Sequence, residues 1–153
     1  MESVQLVVFH LNGAEYAVTI DQVQEIINVT EITRVPRAPQ FILGVFNLRG
    51  KILPAIDLKQ RLGLGTTVVG EASRLVVVKV GEHTVGLLVD GVSETTAVDR
   101  QEIEPASVMM GGVAQELVEG IVKLGERLIT WLDLDRLLAQ GGEEASEPER
   151  QVG

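Results

Sequence analysis

The sequence predicts a mainly β protein built from two five-stranded barrels that lie side by side and are related by an internal repeat. Residues 44–58 are echoed without a gap at 120–134, 76 positions later. Upstream, residues 6–36 are echoed 69 positions later, as in the recurrence of Leu6-Val7-Val8 as Leu75-Val76-Val77. A repeat of this size indicates two similar modules. Each half contains about five short strands, which tend to close into a barrel because closure removes exposed edges.

The composition excludes several classes of protein. The 153 residues include no cysteine, so neither a disulfide framework nor thiolate chemistry is available. Aromatic residues make up only 3% of the chain, so the core must consist mostly of Val, Leu and Ile. The net charge of −9 argues against a nucleic-acid partner, which would require a basic face. Without a signal-peptide pattern or an apolar run of about 18 residues, we expect a cytoplasmic protein that is not inserted into a membrane.

Each half opens with a predicted hairpin. In the first half, residues 4–11 and 15–20 are β-branched, apolar runs, and Asn12-Gly13 between them is the strongest short hairpin signal. In the second half, the equivalent runs at 74–80 and 84–90 flank a looser turn. We therefore expect two hairpins of the same kind.

The segment after the hairpin is predicted to differ between the two halves. Asp21 is suited to cap a short helical turn through 23–26. Its counterpart Asp90 is followed by Gly91, a poor helix former, so less helix is expected there. In the first half, a further strand is predicted at 29–35.

A second hairpin is predicted around Arg49-Gly50, with strands at 45–48 and 51–56. Pro54 lacks the backbone N–H that a sheet ladder uses, so its strand should lie at an edge or carry a bulge there. Each half then ends in a short helix, predicted at 58–62 in the first half and at 133–140 in the second. The aspartates that precede these helices, Asp57 and Asp133, are predicted to be their N-caps.

The repeat also suggests how the chain is divided. We expect one domain over 1–140, with halves at about 4–65 and 74–140 that allow for strand exchange. The second half has seven extra residues within 106–119. The charged, glycine-containing segment 141–153 is predicted to be a disordered acidic tail.

Few residues are arranged for chemistry. His10 and His83 occupy non-equivalent points of the repeat, and no third ligand stands at metal spacing. Asp57 and Asp133 occupy the same position in each copy, where an N-cap is needed in any case. We therefore predict no catalytic residue, no metal and no cofactor, and we expect that the chain is not an enzyme. A small barrel enzyme that uses Asp57 or His10 is the alternative of a different class.

A residue that the fold alone requires should appear in both copies of the repeat, whereas a binding residue can appear in only one. Arg49 corresponds to Gly125 in the other copy, so the turn does not require arginine. Arginine is favoured in interfaces because its planar side chain pairs with carboxylates and stacks on apolar groups. Glu25 lies between Val23 and Ile26 and has a counterpart in the second copy, so structure alone could explain it.

The run GVFNLRGKILPAIDL at 44–58 resembles the most specific motif of the CheW-like domain, a chemotaxis adaptor fold. The segments EYAV at 15–18, VQEI at 23–26 and VDGV at 89–92 are similar to the family at the expected points. The resemblance covers Ser3 to about Leu138, which is nearly the whole predicted fold.

The resemblance implies two SH3-like barrels and a cytoplasmic coupling protein recruited to membrane-associated receptor arrays. Such a protein links the cytoplasmic tips of chemoreceptors (methyl-accepting chemotaxis proteins) to the regulatory domain of the histidine kinase CheA. The resemblance implies receptor contacts at Val23, Glu25 and Arg49. It implies kinase contacts at Gly44, Leu48, Val89, Val92 and Ile103.

Two alternatives lie within the same family. A coupling protein of another chemosensory array, controlling twitching motility or development, would have the same sequence features. A detached kinase regulatory domain, or an adaptor carrying a receiver, is less favoured because we expect no room for a further domain in 153 residues.

Overall fold

The computed structural model describes residues 2–106 and 113–139. Within these residues the chain forms eleven β-strands and two short α-helices, with single 3₁₀ turns at Ile20–Gln22, Arg100–Glu102 and Gln115–Leu117. The strands are β1 (Ser3–Leu11), β2 (Ala14–Thr19), β3 (Val23–Asn28), β4 (Ile42–Leu48), β5 (Lys51–Asp57), β6 (Arg74–Val80), β7 (His83–Val89), β8 (Gly91–Asp99), β9 (Ile103–Glu104), β10 (Val118–Leu124) and β11 (Arg127–Leu132). The helices are α1 (Leu58–Arg61) and α2 (134–139).

The strands form two sheets, and each sheet takes strands from both halves of the sequence. Barrel A has the order β8-β1-β2-β11-β10-β9, and barrel B has the order β3-β6-β7-β5-β4. The first hairpin, β1–β2, belongs to barrel A, whereas β3 crosses over and pairs with β6. In return, β8 pairs with β1. The two repeats therefore exchange equivalent strands, β3 and β8.

Both sheets close into barrels by the same device. In barrel A, β9 follows β8 after one 3₁₀ turn and pairs with β10 at the far end of the sheet. In barrel B, the chain after β3 makes an isolated bridge from Thr33 to Val45 on β4. If β8–β9 and β3–Thr33 are each counted as one bent strand, both barrels have five strands. The prediction of a mainly β chain with two five-stranded barrels is confirmed.

Two predicted secondary-structure elements of the first half are wrong. Residues 23–26 belong to strand β3. The 3₁₀ turn lies just before this strand, at Ile20–Gln22, and the Asp21 side chain does not cap it. The segment is a strand and not a helical turn because five residues of β3 pair with β6. The predicted strand at 29–35 is reduced to the Thr33 bridge. Val29 and Ile32 pack against the interior of barrel B, and their spacing of three does not fit the alternation of a strand.

The predicted hairpins and the reduced helix after Asp90 are confirmed, since β8 begins directly at Gly91. Pro54 pairs with Val45 on β4, and the parallel pairing of β5 with β7 begins only at Ala55. Strand β5 lies between β7 and β4, and the register shift of its pairing with β4 lies at Ile42/Gly44, so the predicted edge or bulge at Pro54 is wrong. The missing N–H is tolerated because Pro54 has no partner on the β7 side.

The core has three parts: an interior for each barrel and a seam between them. On β1, Leu6 and Val8 point into barrel A, whereas Val7, Phe9 and Leu11 point into the seam. Strand β6 does the same for barrel B, with Leu75 and Val77 inside and Val76 and Val78 in the seam. Burial on both faces explains why these strands are continuous apolar runs in the sequence.

The aspartates before the two helices behave differently. The Asp133 carboxylate accepts a hydrogen bond from the Arg136 N–H at 3.1 Å, which is the predicted N-cap contact. Asp57 precedes α1, but its side chain makes no bond to that helix. It is fully buried and accepts hydrogen bonds from the Thr67 N–H at 3.0 Å and the Thr67 hydroxyl at 2.6 Å. Asp57 therefore anchors the segment between the repeats, and its predicted capping contact is wrong.

The predictions for the seven extra residues within 106–119 fall mostly on 107–112, and the predicted tail is 141–153. Both segments lie outside the described residues.

Candidate functional site

The structure brings two of the predicted receptor-contact residues together at one end of barrel B. Arg49 occupies the tight turn between β4 and β5 with a φ of 53°, and Gly50 follows it with a φ of 87°. The Arg49 guanidinium donates from Nη2 to Oε1 of Glu25 on β3 at 2.9 Å, and from Nη1 to Oε2 of the same carboxylate. This two-bond arrangement matches the planar fork of arginine to a carboxylate.

The pair fixes the charge and orientation of an exposed arginine. The hydrogen bond from Arg49 lowers the pKa of Glu25, and the bond from Glu25 raises the pKa of Arg49, so both groups are charged at neutral pH. The Arg49 side chain is nevertheless 72% exposed, whereas that of Glu25 is 27% exposed. The guanidinium is therefore held in place while most of its surface stays available to a partner.

The third predicted receptor residue, Val23, lies on the opposite face of the same strand. A bulge between Val23 and Glu25 leaves Gln24 unpaired, so that Val23 lies opposite Val78 and Glu25 lies opposite Val77. Residues directly opposite each other share a face. Val23 therefore packs half-buried against the seam, while Glu25 is on the face that continues into barrel B.

The five predicted kinase-contact residues do not form one surface. Leu48, Val92 and Ile103 are half-buried, and they pack against barrel B, the seam and barrel A respectively. Val89 is fully buried in the seam. Gly44 is also buried, and a Cβ there would come within 2.6 Å of the Thr33 carbonyl carbon. Val89 and Gly44 are therefore covered by the protein itself, and a contact with a kinase stays a prediction for all five.

Sequence comparison missed a second arginine–carboxylate cluster, at the end of barrel A. Arg127 begins β11 and donates to Glu15 from Nε at 3.1 Å and from Nη2 at 2.6 Å. The same Nη2 reaches Glu94 at 3.3 Å. The hydrogen bond from Arg127 lowers the pKa of Glu15 against the opposing effect of burial. Glu94 is the repeat counterpart of Glu25, which is the signal that could have found this cluster.

The described residues give little support to catalysis. Asp57 is buried and bonded to Thr67, and His10 lies half-buried on β1 opposite Glu15. An open, polar cavity of about 540 Å³ lies at barrel A, with Arg100, Glu119, Trp131 and Asp133 among its lining residues. Burial raises the pKa of Glu119, and the neighbouring Asp133 carboxylate raises it further. Within 2–106 and 113–139, no group of three or more His, Cys, Asp or Glu residues could hold a metal ion.

Comparison with known proteins decides the family. Residues 5–141 match the family model of the CheW-like domain. The chain belongs to the CheW-like family. It is similar to chemotaxis protein CheW of Klebsiella aerogenes, with 36% identity over 135 residues that cover 88% of this chain and 81% of that protein. The resemblance of the motif at 44–58 to this family is therefore confirmed.

Two further relatives cover most of this chain. The crystal structure of scaffolding protein TtCheW from Thermoanaerobacter tengcongensis has a TM-score of 0.82 at 36% identity, covering 90% of this chain and 89% of that one. Protein FrzA of Myxococcus xanthus is 30% identical over 132 residues, covering 85% of this chain and 82% of that protein.

Membership of the CheW-like family makes this chain a scaffold and coupling protein of chemotaxis signalling, as predicted, and not an enzyme. Among the described residues, no helix is both long enough and apolar enough to span a membrane.

Proposed function

We propose that this chain is the adaptor that couples the cytoplasmic tips of chemoreceptors to the regulatory domain of the histidine kinase CheA. It would act in the cytoplasm, where binding to membrane-embedded receptors recruits it to their arrays. The observation that carries the proposal is the exposed Arg49, which Glu25 holds by two hydrogen bonds at the end of barrel B. Membership of a scaffold family supports a role that consists of binding alone.

Arg49, Glu25 and Val23 form the proposed receptor site, each with a different role. Arg49 offers a charged, planar surface that is suited to an interface hot spot. Glu25 keeps that guanidinium in one orientation, so less side-chain entropy is lost when a partner binds. Val23 packs against the seam and fixes the position of β3, which carries Glu25.

The proposed kinase contacts are the half-buried residues Leu48, Val92 and Ile103, which lie on different parts of the two barrels, together with the buried Gly44 and Val89. Leu48 is one residue from Arg49, whereas Ile103 belongs to barrel A. Two barrels packed through a shared apolar seam form a rigid body that can hold two partners at fixed positions. Weak contacts of this kind gain strength when they are repeated in an array.

A binding titration tests the proposal. The full chain would be titrated with a receptor-tip fragment and, separately, with a CheA regulatory domain, as wild type and as Arg49→Ala. We expect Arg49→Ala to weaken receptor binding by about thirtyfold or more, as truncation of a hot spot does. Affinity for the kinase domain and the melting temperature should barely change.

Lys51→Ala is the matched control, because Lys51 is an exposed cation two residues away on the same hairpin. It should leave receptor binding close to that of wild type. If both variants lost the same receptor affinity, the loss would reflect general charge attraction and not a specific role of Arg49, which would contradict the proposal. Unchanged receptor binding of a folded Arg49→Ala variant would contradict the proposal.

The similarity to FrzA favours one second candidate, a coupling protein of another chemosensory array that controls twitching motility or development. The binding chemistry would be the same, with different receptors and a different kinase. Titration against receptor tips and kinase domains from both kinds of pathway distinguishes the two, since the cognate pair should bind more tightly.

A further inference from the structure

Four hairpins in the described part of the chain turn through two residues, and in all four the first turn residue has a left-handed backbone. These residues are Asn12, Arg49, Gly81 and Gly125, with φ values of 55°, 53°, 61° and 62°. Glycine adopts such a φ freely, and asparagine adopts it more readily than most residues. Arginine has no such preference. Another contact in the hairpin is therefore needed to hold the backbone of Arg49 in this conformation.

The side chain of Asn47 makes a contact of this kind. Its Oδ1 accepts a hydrogen bond from the Gly50 N–H at 2.9 Å, so the bond spans Leu48 and Arg49. Asparagine side chains stabilise turns by bonding to the backbone a few residues away. Asn47 is itself exposed, and it lies opposite Ile52, which is also exposed. The core therefore does not require an asparagine here.

The second copy of the repeat has neither the asparagine nor the arginine. The counterpart of Asn47, 76 positions later, is Lys123. An ammonium group has no acceptor for a backbone N–H, and Lys123 instead contacts Glu104 at 2.9 Å. The counterpart of Arg49 is Gly125, which adopts the left-handed φ without support. The acceptor is thus present in the copy where the turn carries arginine and absent where it carries glycine.

The form of the turn matters because Arg49 reaches across barrel B. Strands β3 and β4 are the two ends of the sheet, and Arg49 connects the turn after β4 to Glu25 on β3. The φ of a residue sets the direction of its Cα–Cβ bond, and a turn with right-handed residues would also splay the two strands. The two hydrogen bonds to Glu25 therefore depend on the left-handed form of the turn.

We propose that Asn47 is a positioning residue of the receptor site, which holds the turn at 48–51 so that the Arg49 guanidinium is presented beside Glu25. This inference rests on the proposed receptor role of Arg49. Asn47 makes no receptor contact of its own. It stabilises the bound orientation of Arg49 before the receptor arrives, which reduces the entropy lost on binding.

A first test needs no receptor and uses NMR on the full chain. In Asn47→Ala, the Gly50 amide should exchange with solvent about fivefold faster, as loss of one hydrogen bond gives. The pKa of Glu25, which the bond from Arg49 lowers, should rise towards its ordinary value. In Asn47→Asp, a carboxylate oxygen can accept the same N–H, so the slow exchange of Gly50 should be retained.

Lys123→Ala is the matched control, because it removes the side chain at the equivalent position of the other copy. It should leave the exchange of Gly50 and the pKa of Glu25 unchanged. A folded Asn47→Ala variant in which both of these quantities match the wild type would overturn the proposal.

A second test uses the receptor-tip fragment and a double-mutant cycle. Asn47→Ala should weaken receptor binding by at most about fivefold, and it should have no further effect when Arg49 is already alanine. Equal losses in the two backgrounds would mean that Asn47 acts without Arg49, which would refute a positioning role. If Arg49→Ala leaves receptor binding unchanged, the proposed function fails, while Gly50 exchange and the Glu25 titration still decide whether Asn47 positions Arg49.

Discussion

Replacing Gly44 with alanine should open barrel B, because the chain that closes this barrel passes directly over Gly44. A Cβ at this position would overlap the Thr33 carbonyl, with the carbonyl carbon at 2.6 Å and the Arg34 Cα at 2.9 Å. Both are backbone atoms, so no side-chain rotation relieves the overlap. The φ of Gly44 is 149°, which L-residues rarely adopt.

The magnitude follows from what the overlap displaces. Thr33 and Val45 exchange two backbone hydrogen bonds, each of 2.8 Å, and these form the closing bridge. Their loss costs about 2 kcal/mol, and a residue with a Cβ held at this φ adds roughly 1–3 kcal/mol. A total of about 4 kcal/mol lowers the melting temperature by roughly 8–16 °C for a chain of this size.

Thermal unfolding followed by circular dichroism measures the effect, with two glycines of barrel A as controls. At Gly120, a Cβ would meet the Ile103 Cγ2 at 2.7 Å and the Glu104 carbonyl oxygen at 3.1 Å, a milder overlap than at Gly44, so the expected loss is smaller. At Gly125 the space is open and only the φ of 62° opposes a side chain, which costs about 1 kcal/mol. The expected order of destabilisation is Gly44, Gly120, Gly125. A Gly44→Ala variant as stable as Gly125→Ala would refute the account of barrel closure.

Three further predictions concern titratable groups. Asp57→Ala should lower the free energy of unfolding by about 2 kcal/mol, because it leaves the buried Thr67 N–H without its acceptor. Thr67→Val loses only the hydroxyl bond, so chemical denaturation should show a smaller loss of stability. Burial raises the pKa of Glu119, so its charged form destabilises the fold at high pH. Glu119→Gln should therefore raise the melting temperature slightly at pH 7 and not at pH 4. An equal rise of the melting temperature at both pH values would contradict this. The lowered pKa of Glu15 should return towards its ordinary value in Arg127→Ala, so the stability that the wild type loses on acidification through this group should be largely absent from the variant at every pH; NMR titration of Glu15 with no change of its pKa would show that Arg127 does not set it.

The sequence predicted the parts of the fold that depend on local signals. An Asn-Gly pair between two apolar runs favours a two-residue turn, as Asn12-Gly13 does here. The predicted hairpins β1–β2 and β6–β7 are both confirmed. Strand β3 was missed because Asp21 and its neighbours have the local features of a helix start, while the pairing of β3 with β6 decides the structure from about fifty residues away. Exchange of β3 and β8 between the repeats is non-local in the same way.

The candidate site was predictable only in part. Arg49 was found because its copy partner is Gly125, and the structure places it against Glu25. Arg127 was missed because it stands two positions away from the repeat equivalent of Arg49. Arg49 and Arg127 pair with the equivalent carboxylates of Glu25 and Glu94 from different positions in their hairpins. Aligning the two copies position by position does not reveal this. The repeat points to Glu94 as the counterpart of Glu25, and the fold adds that its partner is Arg127.

The central claim is that two partners bind different faces of one rigid body, and a three-component binding measurement tests it most directly. With a receptor-tip fragment immobilised and saturated by this chain, a CheA regulatory domain should bind the surface with the same affinity that it has for the free chain. It should not bind the receptor fragment alone. If the kinase domain instead displaces the chain from the receptor, the two partners share one site, and the account of a bridging adaptor is wrong.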